Sequence, residues 1–178
     1  MKVVLITGSS GGIGLSLCKK FKKENWIVVG TGRSTKYDAT VIDFYIDKDL
    51  INEDSPKEII KIINDKYERL DCIVNNAAYQ ICKPIWNMSV EEWDMIYNCN
   101  VRSIFLFTKY GLELLKKSKG NIVNIGSVHS VATSNEIAGY ASSKSAISGL
   151  TKNLAIELGQ FGIRVNCVSP GAVDTNML

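Results

Sequence analysis

The feature that most constrains the fold is a regular alternation of short apolar runs with longer helical segments. Six runs, most of them continuously apolar, predict strands buried on both faces: Val3–Thr7, Ile27–Thr31, Thr40–Ile46, Cys72–Asn75, Asn121–Gly126 and Ile163–Val168. The intervening segments predict four helices: Gly12–Lys23, Pro56–Arg69, Val90–Lys117 and Ala138–Gln160. Strands separated by helices predict an α/β fold with a doubly wound parallel sheet, and the 178 residues predict one domain.

Two details refine this prediction. Ser55-Pro-Lys-Glu58 and Ser89-Val-Glu-Glu92 are capping-box patterns, which predict where two helices begin. Only about seven residues separate Arg33 from the third predicted strand, too few for a helix. We therefore expect a loop to carry that crossover.

Composition excludes several function classes. The chain has 21 basic and 18 acidic residues, a balance too even for a dedicated nucleic-acid-binding protein. The apolar stretch at the N-terminus ends at Thr7, too short for a signal-peptide core or a membrane span. One histidine and five scattered cysteines lack metal-ligand spacing, so we expect no metal site and reduced, buried thiols in a cytoplasmic protein. We expect no nucleic-acid or membrane partner.

A glycine-rich turn, Thr7-Gly-Ser-Ser-Gly-Gly-Ile-Gly14, lies between the first strand and the first helix. Glycines there allow a tight turn and close approach of a pyrophosphate, and the helix N-terminus offers unpaired N–H groups. The turn predicts a dinucleotide site, with a purely structural turn as the alternative.

The end of the second strand bears on the choice of cofactor. An acidic residue there would bind the ribose 2′-hydroxyl of NAD, but this sequence has Gly32 followed by Arg33. A guanidinium can pair with a 2′-phosphate and stack on adenine. We therefore expect NADP, with NAD possible and a plain surface arginine as the alternative.

Three side chains further along the chain predict the chemistry. Ser127 follows the fifth strand, and Tyr140 and Lys144 lie one turn apart on one face of the next helix. Hydride transfer at a carbinol carbon requires proton transfer at its oxygen, which a tyrosine can perform if its pKa of about 10 is lowered. The ammonium of Lys144 and an oxidised nicotinamide would lower it. Each residue alone has a structural alternative, as a packing residue, a surface charge or a strand-end cap.

Taken together, these motifs resemble the short-chain dehydrogenase/reductase family, in its 3-oxoacyl-carrier-protein reductase and glucose dehydrogenase branch. The resemblance covers the whole chain and also rests on Asn75-Asn-Ala-Ala78, on Asn100 and on Pro170-Gly171. It implies a Rossmann-like sheet and an NAD(P)-dependent oxidoreductase acting on a small-molecule carbonyl or secondary alcohol. A non-catalytic NAD(P)-binding or sensing module is the alternative.

The resemblance also implies roles for individual residues. Tyr140 would be the general acid and base, assisted by Lys144 and Ser127, and Asn100 would position a water behind Lys144. Asp47 is a rival to Asp49 at the adenine, and His129 would face either the substrate or solvent. Besides Tyr140 and Lys144, the implied cofactor-binding residues are Gly8, Ser9, Ser10, Gly12, Ile13, Gly14, Arg33, Asp49, Leu50, Asn76, Ala77, Val173 and Thr175.

Two further expectations follow from the resemblance. Family members continue into a substrate lid and a seventh strand, which this sequence lacks; we expect either a fragment or a natural truncation at the C-terminus. The two long helices would pair subunits into a homodimer or homotetramer, with Phe105, Phe107 and Tyr110 as interface candidates, although core packing explains these three residues equally well. Substrate would be lined by Tyr79–Pro84 and Val128–Ile137.

Overall fold

One sheet of six parallel strands organises the fold of residues 1–174, which are those that the computed structural model describes. The strands are β1 Val3–Thr7, β2 Ile27–Gly32, β3 Phe44–Asp47, β4 Cys72–Asn75, β5 Asn121–Ile125 and β6 Arg164–Val168, in the order β3-β2-β1-β4-β5-β6. The helices are α1 Gly12–Lys23, α2 Ser55–Tyr67, α3 Val90–Tyr97, α4 Ser103–Ser118 and α5 Ala138–Gly159. The predicted α/β architecture, a Rossmann-like doubly wound parallel sheet, is confirmed.

Helices and apolar side chains cover both faces of the sheet. Cys18 of α1 packs with Val4, Ile6 and Val28 on one face. On the other face, α2, α4 and α5 cover the strands through the buried side chains Ile59, Ile63, Phe107, Leu115, Leu154 and Leu158. Burial on both faces explains why the central strands β1, β2 and β4 are largely apolar in sequence, whereas β3 and β6 at the edges are partly exposed.

The crossover from β2 to β3 is a loop, as predicted, but β3 is shorter than predicted. The segment 40–43 forms turns rather than strand, and Asp38 accepts a hydrogen bond from the Thr40 N–H at 3.0 Å. Ile42 is 2% exposed and packs in the cluster on the α1 face. The apolar loop residue thus covers part of the sheet where a helix would otherwise lie.

The predicted helix Val90–Lys117 is not continuous. A π-helical turn at Asn98–Arg102 separates α3 from α4. The capping box at Ser89 and Glu92 is confirmed, because Ser89 accepts from the Glu92 N–H and Glu92 from the Ser89 N–H. The box at Ser55 is wrong: its hydroxyl donates instead to the Asp49 carbonyl at 2.7 Å, and α2 starts without a side-chain cap.

Other sequence expectations can be compared with the described residues. Within residues 1–174, no helix is long and apolar enough to cross a membrane, and no group of three His, Cys, Asp or Glu side chains could hold a metal ion. All five cysteines are free thiols. Cys18, Cys72 and Cys99 are buried as expected, whereas Cys82 is exposed and Cys167 is partly exposed.

Candidate functional site

The glycine-rich turn lies at the carboxyl end of β1, the edge of a parallel sheet where ligands bind. Gly8 and Gly12 have positive φ angles of 62° and 51°, a conformation that favours glycine. A Cβ atom on Gly14 would overlap the carbonyl oxygen of Gly8 and crowd the Asn76 side chain. The close packing of α1 on this turn therefore requires glycine at position 14.

The N–H groups of the turn divide into two sets. Those of Gly8 and Ser9 donate to the Thr31 carbonyl at 2.8 and 3.3 Å, so they anchor the turn to β2. The first intrahelical bond of α1 runs from the Leu15 N–H to the Gly11 carbonyl, which leaves the N–H groups of Gly12, Ile13 and Gly14 without an intrahelical acceptor.

This helix end fits the pyrophosphate of a dinucleotide. The first turn of α1 carries no acidic side chain that would compensate its positive end. Ser9 is fully buried with its hydroxyl beside Gly30, so its side chain supports the turn. Ser10 is only partly buried.

Asn76 and Thr7 brace the turn from β4. The Asn76 amide donates to the carbonyls of Thr7 and Gly8 at 2.9 and 3.1 Å. The Thr7 hydroxyl accepts from the N–H groups of Asn76 and Ala77, both at 2.9 Å. Thr7 was predicted as the end of the first strand and the start of the glycine motif, and its 2% exposure between two strand ends explains this second role.

The residues predicted at the adenine are Arg33, Asp47, Asp49 and Leu50. The Arg33 side chain is exposed, and its guanidinium carbon lies 5.5 Å from the centroid of the Tyr79 ring. Asp49 is exposed and its carboxylate accepts from the Ile51 N–H at 3.0 Å, whereas the Leu50 side chain belongs to the core. Asp47 is exposed and pairs in register with Gly32, so both aspartates lie near this edge and their roles remain predictions.

Ser127, Tyr140 and Lys144 come together beyond the end of β5. They are buried, with exposures of 7%, 8% and 2%. The Lys144 ammonium donates to the Ile125 carbonyl at 2.7 Å and lies 5.5 Å from the centroid of the Tyr140 ring. This is the arrangement that a shared role in proton transfer requires.

Burial shifts the pKa of both titratable groups of this cluster. The pKa of the Tyr140 phenol is raised because burial disfavours the phenolate, and hydrogen bonding to Ser127 lowers it in part. Burial also lowers the pKa of Lys144 from its usual 10.5 to about 8. In the protein alone, Tyr140 is therefore a phenol at neutral pH rather than the phenolate expected next to an ammonium.

Asn100 lies in the π-helical turn and is 2% exposed. Its amide oxygen accepts from the Tyr79 N–H at 2.7 Å. Its amide nitrogen donates to the Tyr79 carbonyl at 3.0 Å and to the Ser143 hydroxyl at 2.9 Å. Both N–H groups are thus engaged within the protein. Ser143 belongs to none of the motifs that predicted the site, so this partner of Asn100 was not foreseen.

The two segments predicted to line the substrate are bonded to each other, from the Lys83 N–H to the Glu136 carbonyl at 2.7 Å. The His129 N–H donates to the Ser127 hydroxyl at 3.2 Å, and the His129 ring is edge-on to Tyr140 at a centroid distance of 6.2 Å. Its Nδ1 atom is buried and has no hydrogen-bond partner within residues 1–174. The ring therefore lies beside Tyr140 rather than turned away from the site.

The segment after β6 reaches the same site. The N–H groups of Gly126 and Val128 donate to the carbonyls of Val168 and Pro170 at 2.8 and 2.9 Å. Val173 is exposed beyond this contact, and the predicted contact residue Thr175 lies outside the described residues.

The predicted subunit-contact residues differ in their exposure. Phe107 is fully buried in the core, so its assignment to an interface is wrong. Phe105 is half exposed, and Tyr110 is partly buried against the core.

Comparisons with known proteins agree with this geometry. The family described as short chain dehydrogenase matches residues 2–178. The chain is 35% identical to cyclopentanol dehydrogenase of a Comamonas species, covering 99% of the chain and 74% of that protein. It is 33% identical to a 3-oxoacyl-acyl-carrier-protein reductase of Vibrio cholerae, covering 99% and 75%. The crystal structure of 3-ketoacyl-acyl-carrier-protein reductase from Brucella melitensis, complexed with NADH, matches with a TM-score of 0.94 and 28% identity, covering 99% and 78%.

Proposed function

The chain belongs to the short-chain dehydrogenase family of NAD(P)-dependent oxidoreductases that act on alcohols and carbonyl compounds, and on that premise we propose that it is an NADPH-preferring reductase and dehydrogenase in which Tyr140 is the general acid and base. The observation that carries the proposal is the burial of Tyr140, Ser127 and Lys144 in one cluster at the carboxyl edge of the sheet. Three polar side chains buried together without a salt bridge are costly for a merely structural site.

The proposed proton transfer follows from the pKa directions. The bound nicotinamide supplies a hydride to the carbonyl carbon, or accepts one from the alcohol carbon. In reduction, Tyr140 donates its phenolic proton to the carbonyl oxygen, and the raised pKa keeps that proton available at neutral pH. Ser127 donates a hydrogen bond to the same oxygen, and Lys144 stabilises the resulting phenolate until the proton is replaced.

Asn100 has a second proposed role beside the relay water that the resemblance implies. Both of its amide N–H groups are engaged by Tyr79 and Ser143, so a relay water would have to bind to an oxygen of Asn100, such as its main-chain carbonyl. We propose that Asn100 is also a positioning residue, which fixes Ser143 and, through it, the helix that carries Tyr140 and Lys144.

The proposed preference for NADPH rests on Arg33. The exposed guanidinium at the end of β2 provides the positive charge and donors that a 2′-phosphate requires. Gly12, Ile13 and Gly14 would donate to the pyrophosphate, and Asn76 and Ala77 would border the ribose. The proposed site also includes Gly8, Ser9, Ser10, Asp49, Leu50, Val173 and Thr175.

The proposal also covers the domain organisation, the subunit assembly and the cellular compartment. Residues 1–178 would form one dinucleotide-binding and catalytic domain for a small-molecule carbonyl or alcohol. Half-exposed Phe105 on α4 and 79% exposed Ile156 on α5 support a homodimer or homotetramer, which analytical ultracentrifugation would detect. The five free thiols support a cytoplasmic setting.

The experiment that tests the activity is the substitution Tyr140→Phe. It removes the transferable proton but keeps the ring, so reduction of a carbonyl panel with NADPH should fall at least 100-fold. NADPH affinity should stay within about 2-fold of wild type, because the substitution removes one hydroxyl and keeps the ring. Thermal-melt titration can measure this affinity, since ligand at a hundred times its Kd adds about 2.7 kcal/mol of stability.

Tyr67→Phe is the matched control, since Tyr67 ends α2 just before the start of β4, at the edge of the sheet opposite the cluster. Its activity should equal that of wild type. Retained turnover in Tyr140→Phe would refute the assignment of the acid. A wild-type chain that binds NADPH without turning over any member of the panel would instead support a cofactor-binding module.

A further inference from the structure

We propose that Tyr79 is a specificity-determining positioning residue: its ring holds the Arg33 guanidinium over the cofactor groove, in the place from which Arg33 selects a 2′-phosphate. This inference rests on the proposed preference for NADPH. Tyr79 was predicted only as the first residue of a substrate-lining segment, and none of the motifs in the sequence includes it.

Arg33 and Tyr79 are in contact although they follow different strands of the sheet. Arg33 follows β2 and Tyr79 follows β4, and β1 with its glycine-rich turn lies between these two strands in the sheet. The guanidinium carbon lies 5.5 Å from the ring centroid, within the range of a cation–π contact. The Arg33 side chain therefore extends from one strand end across the turn toward the other.

The main chain of Tyr79 is fixed to the interior of the protein, which places the base of its side chain. The backbone N–H and carbonyl of Tyr79 both bond to the Asn100 amide, at 2.7 and 3.0 Å. Asn100 is buried and bonds in turn to Ser143 of α5. Tyr79 is thus anchored to the interior of the protein, whereas Arg33 is an exposed side chain with many rotamers.

A restrained Arg33 should affect the binding of NADPH and NADH differently. An arginine that is already restrained near the phosphate loses less conformational entropy when it binds a 2′-phosphate. NADH has a 2′-hydroxyl at that position, so it gains little from a restrained guanidinium. The ring should therefore contribute to NADPH affinity and not to NADH affinity, which changes the selectivity rather than binding in general.

The test measures dissociation constants for NADPH and NADH in Tyr79→Leu, Tyr79→Phe, Arg33→Ala and the Arg33→Ala/Tyr79→Leu double variant. Tyr79→Leu should weaken NADPH binding about 2- to 5-fold, the worth of an exposed cation–π contact, and leave NADH binding unchanged. Tyr79→Phe is the matched control, because it keeps the ring and should keep the selectivity. In the Arg33→Ala background, Tyr79→Leu should have no further effect.

The outcomes separate this inference from the proposed function. If Arg33→Ala leaves the NADPH to NADH ratio unchanged, the cofactor preference itself is wrong. If Arg33→Ala removes the preference but Tyr79→Leu does not reduce it, the role of Tyr79 is refuted. Equal losses for both cofactors would indicate a structural role only, and tighter binding of both would indicate that the contact obstructs the groove. The hydrogen bonds to Asn100 use main-chain atoms of Tyr79, so they remain possible in both Tyr79 variants.

Discussion

Replacing Lys144 with methionine should change how the stability of the fold depends on pH. Lys144 is 2% exposed, and burial lowers its pKa from 10.5 to about 8. A lowered pKa means that the folded state disfavours the ammonium. Between these two values, the unfolded chain holds more protons than the folded one, so this lysine makes the protein more stable as the pH rises.

The magnitude follows from the two pKa values. The cost of folding that Lys144 imposes is about 3 kcal/mol at pH 7 and falls to about 1 kcal/mol at pH 9.5. Methionine has a similar length and no charge, so its contribution is independent of pH. The free energy of unfolding of Lys144→Met minus that of wild type should therefore fall by about 2 kcal/mol between pH 7 and pH 9.5.

Urea unfolding at four or five pH values, with reductant to keep the thiols free, measures this difference directly. Subtracting wild type from the variant removes the titration of the groups that the two proteins share. Lys152→Met is the matched control, because Lys152 is exposed on the same helix and its replacement should leave the pH dependence unchanged. A difference for Lys144→Met that is flat or rises with pH would show that Lys144 is not desolvated as described.

Two further predictions concern the site. The rate of alcohol oxidation should rise with pH above neutrality, because oxidation needs the phenolate of Tyr140 and burial raises the pKa of this phenol. Carbonyl reduction uses the phenol and should stay nearly constant up to about pH 9; initial rates from pH 6 to 10 in both directions check this, and an oxidation rate that does not rise with pH would contradict it. Gly14→Ala should lower the melting temperature and weaken NADPH binding, because its Cβ would overlap the Gly8 carbonyl. Gly149→Ala, on a part of α5 with open space, should instead raise stability by up to about 1 kcal/mol, and equal melting temperatures for the two variants would refute the crowding.

The central strands β1, β2 and β4 could be predicted because they are buried on both faces and are therefore largely apolar, whereas the edge strands β3 and β6 are partly exposed. The site could be predicted because the ends of parallel strands meet at one edge, so Gly14, Ser127 and the Tyr140 helix had to lie near one another. The strand at 40–46 was overextended because Ile42 is apolar for a different reason, as a loop residue that packs against the α1 face. Phe107 illustrates the same limit, since an aromatic residue in a helix pattern does not reveal which face is covered.

The π-helical turn and the hydrogen-bond partners of Asn100 could not be predicted from the sequence. The apolar pattern of Val90–Lys117 does not reveal the π-helical turn. Such a turn changes the backbone hydrogen bonds of the helix but not its amino-acid composition. Its consequence is that Asn100 reaches Tyr79 on one side and Ser143 on the other, and the Ser143 hydroxyl donates to the Tyr140 carbonyl at 2.7 Å.

One buried amide therefore connects the contact that holds Arg33 with the helix that carries the proton-transfer residues. The three hydrogen bonds of Asn100 offset the cost of the irregular turn, since without each of them a buried polar group would lack a partner. A straight helix would satisfy its own backbone equally well, but it would present a different side chain at this point. The connection that Asn100 makes explains the irregular turn. Replacement of Asn100 should therefore affect cofactor selection and catalysis together.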